Sequence, residues 1–184
     1  MSKILKQLKP FIERYPILAA TYRAGRDAWV MNHQKPQLTP FGFKFMGHRD
    51  MQLGNFEPEE TTLIKSFLTK TDVFVDVGAN IGFYTCLARS ANKYVIAIEP
   101  LFQNLSYLVI NLIENNWNDV EIYPVGVSDR IGIASLYGSG TGASLIAGWA
   151  ESSLHHRSAI AVSTLDILSH GYKNIIISTK LTIF

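Results

Sequence analysis

This sequence has a single cysteine, no long apolar run and no cluster of like charge. The single cysteine, Cys86, excludes an internal disulfide and fits a reducing compartment. No apolar stretch approaches the ~18 residues needed to span a bilayer. The net charge is only +2, and no basic run is interleaved with aromatic residues. We therefore predict a cytoplasmic protein with no transmembrane segment and no nucleic-acid partner.

The composition is that of a globular protein. Of 184 residues, 47% are hydrophobic and 17% are charged, which is enough apolar material for one domain with a core. Cys86 falls within a predicted helix, where a small buried residue is expected rather than a nucleophile. The sequence shows no internal repeat.

The first 53 residues form a predicted extension of helical and irregular structure. Residues 1–30 carry a helical apolar stripe that Pro10 and Pro16 would kink, with charges too frequent for a signal peptide. Such a basic amphipathic segment can rest on a membrane surface, although packing on the main domain or on a partner chain is favoured. Residues 31–56 predict short strands and turns. The sequence does not define an oligomeric state.

Strands and helices alternate in the second predicted segment, residues 54–184. The predicted elements, in chain order, are a helix over 57–68, a strand over 73–77, a helix over 81–91, a strand over 94–98, a helix over 101–115 and a strand over 120–127 broken by Pro124. This alternation predicts an α/β fold with a doubly wound, mostly parallel sheet. The first two strands are apolar at nearly every position, as expected when helices cover both faces.

The pattern changes after Asp129. "IGIASLY" and "SAIAVS" predict two halves of a hairpin, separated by a flexible "GSGTGAS" loop. "TLDIL" predicts a short helix with Ser163 or Thr164 as its N-cap. "NIIIS" predicts a last apolar strand.

A glycine turn follows the first strand of the alternating region, in "VFVDVGANIGFYT". A dinucleotide site would require G-x-G-x-x-G, but Asn80 and Phe83 stand where its second and third glycines belong. The carboxylate of Asp76 would also oppose a pyrophosphate at the helix N-terminus. S-adenosylmethionine avoids this conflict because it has a sulfonium, an amino group and a ribose but no phosphate. Gly78 and Gly82 allow close backbone approach, and Asn80 is predicted to cap the following helix.

Acids recur at the ends of the next strands. Glu99 lies about 20 residues beyond the glycine turn, where a carboxylate can accept hydrogen bonds from ribose hydroxyls. Ser128 and Asp129 end the third strand, near where an adenine would lie. Singly, Asp76 could be a loop cap, Glu99 a solvated strand end and Asp129 a turn former. Together they favour a nucleoside site.

Four blocks of the sequence resemble the FkbM family of methyltransferases: "DVFVDVGANIGFYT", "AIEPLFQNLSYLVINLIENNW", "VEIYPVGVSDRIGIASLY" and "VSTLDIL". The resemblance covers about residues 54–168. It implies a class I, Rossmann-like, S-adenosylmethionine-dependent fold and methylation of a hydroxyl on a sugar or similar small metabolite. The residues implied in cofactor binding are Asp76, Gly78, Ala79, Asn80 and Gly82 toward the methionine end, Glu99 at the ribose, and Ser128 and Asp129 at the adenine.

The sequence departs from the family after "TLD". The family continues into an Ile-Asp-Val-Glu-Gly block, whereas this sequence reads "NIIISTKLTIF". We therefore expect a methyltransferase that is incomplete at its C-terminal side because of a frameshift near Ser178. The sequence does not establish whether such a chain catalyses methyl transfer. One alternative is a non-catalytic nucleoside-binding remnant. The other is an NAD-linked oxidoreductase, which the missing glycines and Asp76 argue against.

Two adjacent histidines, His155 and His156, are the remaining candidates for chemistry. They could supply a base or a metal ligand, but no acid or cysteine cluster surrounds them, so we predict a solvated loop and no metal site. The methyl acceptor and a catalytic base are not identified by the sequence.

Overall fold

The computed structural model describes residues 35–137 and 157–179, together with Tyr15 and Leu145. The chain divides into two compact units, residues 1–35 and residues 36–184. The sequence placed a domain boundary at residues 53 and 54, and that assignment remains a prediction. The predicted helix over 1–30, the "GSGTGAS" loop and both histidines at 155 and 156 lie outside the described residues.

The described elements of the second unit alternate much as predicted. In chain order they are β1 Gln37–Leu38, β2 Lys44–Phe45, α1 Arg49–Leu53, α2 Pro58–Leu68, β3 Val73–Val77, α3 Phe83–Ser90, β4 Tyr94–Ile98, α4 Phe102–Ile113, β5 Glu121–Tyr123, β6 Gly126–Val127, β7 Gly132–Tyr137, β8 Arg157–Ser163, α5 Leu165–Leu168 and β9 Ile175–Thr179. The short helix α1 was not predicted. None of the helices described is long and apolar enough to cross a membrane.

A four-stranded sheet with the order β5-β4-β3-β9 organises the unit, and all of its neighbouring strands are parallel. The chain moves outward from β3 to β4 and β5, then returns to the other side of β3 for β9. This order confirms the predicted α/β class with a mostly parallel, Rossmann-like sheet. The reversal creates a topological switch point between β3 and β9. In open α/β sheets, ligands bind at the carboxyl ends of the strands beside such a point.

The two faces of this sheet are covered differently. Phe74, Val95 and Ala97 pack with residues of α1–α4, while the alternate strand residues pack with the short α5 and with residues around β6. The prediction of helices on both faces therefore holds fully for only one of them. Thr164 is the N-cap residue of α5, but its side chain makes no capping hydrogen bond.

The predicted third strand is divided between two sheets. β5 pairs with β4 in the parallel sheet, whereas β6 pairs with β8 in a separate sheet of order β6-β8-β7. Pro124 lies between them and has no backbone N–H to donate to a ladder, which favours a break there. The predicted hairpin is confirmed, because β7 pairs antiparallel with β8.

Residues around β2 are part of the core of the unit, and two asparagines, one in α4 and one just after it, bind their backbone. Asn111 is fully buried; its side-chain amide accepts from the Met46 N–H at 2.6 Å and donates to the Met46 and Ile81 carbonyls at 3.1 and 2.9 Å. One turn later, Asn115 pairs in the same way with the N–H and the carbonyl of Lys44. These two amides bind backbone groups in and next to β2, which also pairs with β1, and Asn111 connects this segment to the turn after β3.

Phe83, the first residue of α3, places the same segment against that turn. Its ring lies 5.2 to 6.1 Å, between centroids, from five other aromatic rings: Phe41, Phe43, Phe45, Phe56 and Tyr84. All five pairs meet edge to face, a favourable geometry for aromatic rings. The start of α3 is therefore held rigidly.

The opposite, amino-terminal edge of the sheet carries a cluster of tyrosines around one carboxylate. Tyr94, Tyr123 and Tyr172 all donate hydrogen bonds to Glu121. These phenols, Tyr172 foremost, lower the pKa of the Glu121 carboxyl. The cluster fastens the segment before β9 to the starts of β4 and β5.

Replacing Asn111 by alanine should lower the free energy of unfolding by about 2–4 kcal/mol, because buried backbone groups at Met46 and Ile81 lose their partners. Asn115→Ala is the matched control: it removes the same kind of amide just beyond the end of α4, where water can replace it, and should cost about 0.5–1.5 kcal/mol. Urea unfolding measures both. Equal losses for the two variants would contradict this account of β2.

Candidate functional site

The turn after β3 runs from Gly78 to Gly82 at the carboxyl end of the sheet. Gly78, Asn80 and Gly82 all have left-handed backbone, with φ of 74°, 55° and 87°. Glycine adopts this conformation at little cost, and asparagine tolerates it better than most residues. At Gly82 an added Cβ would lie 3.0 Å from Leu108 Cγ, so helix α4 also requires a glycine there. The sequence "GANIG" is therefore explained by the backbone it must form.

Four N–H groups of this turn, those of Gly78, Ala79, Asn80 and Gly82, donate within the protein. Those of Gly78 and Ala79 both donate to the carbonyl of Ile98, at 2.9 and 3.0 Å, and that of Gly82 donates to Ala79 at 2.8 Å. The Asn80 N–H donates to Glu99 Oε2 at 2.8 Å. A phosphate-binding loop needs such groups directed at its ligand. This turn does not offer these N–H groups to a pyrophosphate.

Glu99 joins the turn to the end of β4. Its side chain is 4% exposed; Oε1 accepts from the Leu101 N–H at 2.9 Å and from Asn104 Nδ2 at 3.2 Å, while Oε2 accepts from the Asn80 N–H. Hydrogen bonds to a buried carboxylate are among the stronger ones in proteins. Glu99 is not the solvated strand end that was one alternative.

Asp76 is buried one residue before the end of β3. It is 3% exposed, and its Oδ2 accepts from the Thr85 hydroxyl at 2.6 Å. In the register of the sheet it lies beside Ala97 of β4 and Ser178 of β9, next to the switch point. Two buried carboxylates, Asp76 and Glu99, therefore flank the same turn.

Asn80 does not cap α3, contrary to the prediction. The N-cap residue is Gly82, and Asn80 is 5% exposed with its backbone held by Glu99. Among the described residues, its side-chain oxygen Oδ1 is the buried side-chain polar atom that has no hydrogen-bond partner. An unpaired buried acceptor costs about 1–3 kcal/mol, and such an atom calls for a ligand or water that donates to it.

Ser128 and Asp129 follow a strand of a different sheet from the strands that carry Asp76 and Glu99. They follow β6, in the three-stranded sheet, and the Ser128 N–H donates to Ser163 at 2.9 Å. The Ser128 hydroxyl donates to Asp129 Oδ1 at 3.0 Å, and Asp129 is exposed. No hydrogen bond between described residues connects this pair to the turn after β3. The sequence had placed them at the end of the third strand of the parallel sheet, which instead ends at Tyr123.

Two residues at the site were not singled out from the sequence. Thr85 lies inside α3 with no exposed surface, and Asn104 lies in the first turn of α4. Each is a polar residue on a helix directly after an acidic strand end, and that position is the signal that could have identified them. Each donates to the acid of the strand that precedes its helix.

Cys86 lies beside this group but is not a nucleophile. It has no exposed surface, and burial, with a smaller contribution from Asp76, raises the pKa of its thiol well above the usual range. This confirms the prediction of a small buried residue. Within the described residues, no group of three or more histidine, cysteine or acidic side chains could hold a metal ion.

Several solved structures are similar in fold to part of this chain. A precorrin-6y C5,15-methyltransferase from Geobacter metallireducens GS-15 is 22% identical, over 45% of this chain and 43% of that one, with a TM-score of 0.35. TYW2 of M. jannaschii, in complex with AdoMet, is 24% identical, over 44% and 37%, with a TM-score of 0.32. A putative RNA methyltransferase from Pyrococcus horikoshii is 20% identical, over 54% and 50%, with a TM-score of 0.34.

The matched region spans half or less of the length of each of these structures. No family model matches the sequence. No curated protein matches it either. Because the TM-scores are below 0.5, these similarities do not assign a function, and the assignment depends on the geometry of the site.

Replacing Glu99 by glutamine should lower the free energy of unfolding of the ligand-free protein by about 1.5–3 kcal/mol. The new amide NH₂ would face either the Asn80 N–H or the donors Leu101 and Asn104. Glu114→Gln, at the exposed end of α4, is the matched control and should have little effect. Urea unfolding compares the two, and equal stabilities would show that the Glu99 bridge is unimportant.

Proposed function

We propose that this chain binds S-adenosylmethionine at the carboxyl end of its parallel sheet and that it is a methyltransferase. The observation that carries the proposal is the set of acceptors around the turn after β3. Asp76 and Glu99 are buried carboxylates, and Asn80 Oδ1 is a buried acceptor with no partner among the described residues. Such a site favours a ligand that brings hydrogen-bond donors and positive charge.

S-adenosylmethionine has the required chemistry. Its amino group and sulfonium are positive, its ribose hydroxyls are donors, and it carries no phosphate. The N–H groups of Gly78, Ala79, Asn80 and Gly82 already donate within the protein, so a dinucleotide would meet carboxylates and gain no phosphate contact from these four groups. This argues against the NAD-linked alternative independently of the missing glycines.

Each residue of the site has a role in this proposal. Asp76 and Asn80 would hold the methionine end, and Glu99 would meet the ribose while keeping the turn in place. Ser128 and Asp129 remain proposed neighbours of the adenine on the FkbM resemblance alone. When bound, S-adenosylmethionine supplies an electrophilic methyl group, and the task of the protein is to hold the acceptor oxygen in line with it.

The acceptor is proposed to be a hydroxyl on a sugar or a similar small metabolite. This choice is supported by the resemblance of residues 54–168 to the FkbM family. Incubation with S-adenosylmethionine and panels of sugars, small metabolites and RNA tests it by mass spectrometry. A mass gain of one methyl group on a sugar hydroxyl supports the proposed acceptor, whereas methylation of RNA alone would exclude it.

Calorimetric titration should show binding of S-adenosylhomocysteine and no binding of NAD. Asn80→Gly should weaken S-adenosylhomocysteine about tenfold, because the variant lacks the Oδ1 acceptor, while glycine keeps the left-handed backbone. Its free energy of unfolding should not fall, since the lost atom is unpaired in the free protein. Asn92→Gly, at a residue with φ of 58°, is the matched control and should change neither quantity. Binding of NAD without any response to S-adenosyl ligands would overturn the proposal.

A further inference from the structure

Thr85 is a buried hydroxyl directed at the first carboxylate of the site. It lies in α3 with no exposed surface, and its Oγ1 donates to Asp76 Oδ2 of β3 at 2.6 Å. The pair is shielded from water, since both residues are buried, and Phe83, Tyr84, Cys86 and Leu87 of the same helix are buried as well. A charged acceptor in such surroundings forms a strong, directional bond.

This bond is not a routine feature of a helix. A threonine inside a helix commonly donates its hydroxyl to the carbonyl four residues earlier, which here belongs to Ile81. The Ile81 carbonyl accepts instead from Asn111 Nδ2, at 2.9 Å. The Thr85 hydroxyl bonds across to the neighbouring strand, so it constrains the rotation of the Asp76 carboxylate.

We propose that Thr85 is a positioning residue that fixes the Asp76 carboxylate to receive the amino group of the S-adenosyl ligand; this inference rests on the proposed function. A carboxylate that is already oriented does not lose rotational freedom when the ligand binds, and preorganised groups of this kind increase affinity. Asn80 and Glu99 are held by other contacts. The effect of Thr85 is therefore confined to the amino-acid end of the ligand.

Two ligands separate this role from a general structural one. S-adenosylhomocysteine has the amino and carboxyl groups of the amino-acid end, whereas methylthioadenosine has the same nucleoside and thioether without them. Thr85→Val keeps the side-chain shape and removes the hydroxyl. It should weaken S-adenosylhomocysteine about tenfold or more, from the loss of one hydrogen bond to a charged group, and change methylthioadenosine by about twofold or less.

Thr85→Ser keeps the hydroxyl and should bind both ligands as the parent does. Calorimetric titration of the parent, the valine variant and the serine variant with each ligand measures the difference. Equal weakening of both ligands by Thr85→Val, no weakening of either, or a serine variant that behaves like valine would each overturn the inference. Binding of methylthioadenosine to the valine variant also shows that it is folded. Failure of the parent to bind either ligand would instead overturn the proposed function.

Discussion

The site depends on one carboxylate, because Glu99 connects the two turns that the parallel sheet presents at its carboxyl end. One of its oxygens accepts from Asn80 in the turn after β3, and the other accepts from Leu101 and Asn104 after β4. The carboxylate is buried, so water cannot readily replace these donors. The left-handed conformation of Asn80 and the entry of the chain into α4 are therefore fixed by the same group.

This connection also determines what the site can bind. A loop that gives its N–H groups to a protein carboxylate and to the carbonyl of Ile98 cannot give them to phosphates. The groups left to meet a ligand at the switch point are the carboxylates of Asp76 and Glu99 and the unpaired side-chain oxygen of Asn80. The site is suited to a cationic ligand that donates hydrogen bonds. The sheet shares its order with nucleotide-binding folds, but the chemistry of the turn differs from that of a phosphate site.

The aromatic residues between 41 and 56 support the turn after β3 through contacts with Phe83. Phe83 is packed among rings from residues 41–56, and Asn111 connects Met46 to the carbonyl of Ile81 within the turn. Backbone strain at the left-handed residues is thus opposed by contacts on several sides. Phe41, Phe45 and Met46 therefore take part in the structure that holds the turn in place.

Much of the fold could be predicted, because strands such as Val73–Val77 and Tyr94–Ile98 are apolar throughout and the helices after them have regular apolar stripes. The convergence of Asp76 and Glu99 followed from parallel strands sharing one edge. The helix-capping role of Asn80 was predicted wrongly, because whether an asparagine caps a helix depends on backbone angles that residue order does not reveal. Asn111 could not be singled out because its partners, Met46 and Ile81, are defined only by tertiary contacts, whereas Thr85 and Asn104 carried a signal as polar residues on the helices that follow the two acids. Pro124 was noted as a break, but the sequence did not indicate that the chain changes sheets there.

A crystal structure of the chain with S-adenosylhomocysteine tests the central claim most directly. The account predicts the ligand at the carboxyl ends of β3 and β4, with its amino end beside Asp76, a donor on Asn80 Oδ1, and its ribose beside Glu99. It also predicts that the hydrogen bond from the Asn80 N–H to Glu99 persists in the complex. A ligand bound elsewhere, or at this edge with Asn80 Oδ1 still unpaired and Glu99 turned away, would contradict it.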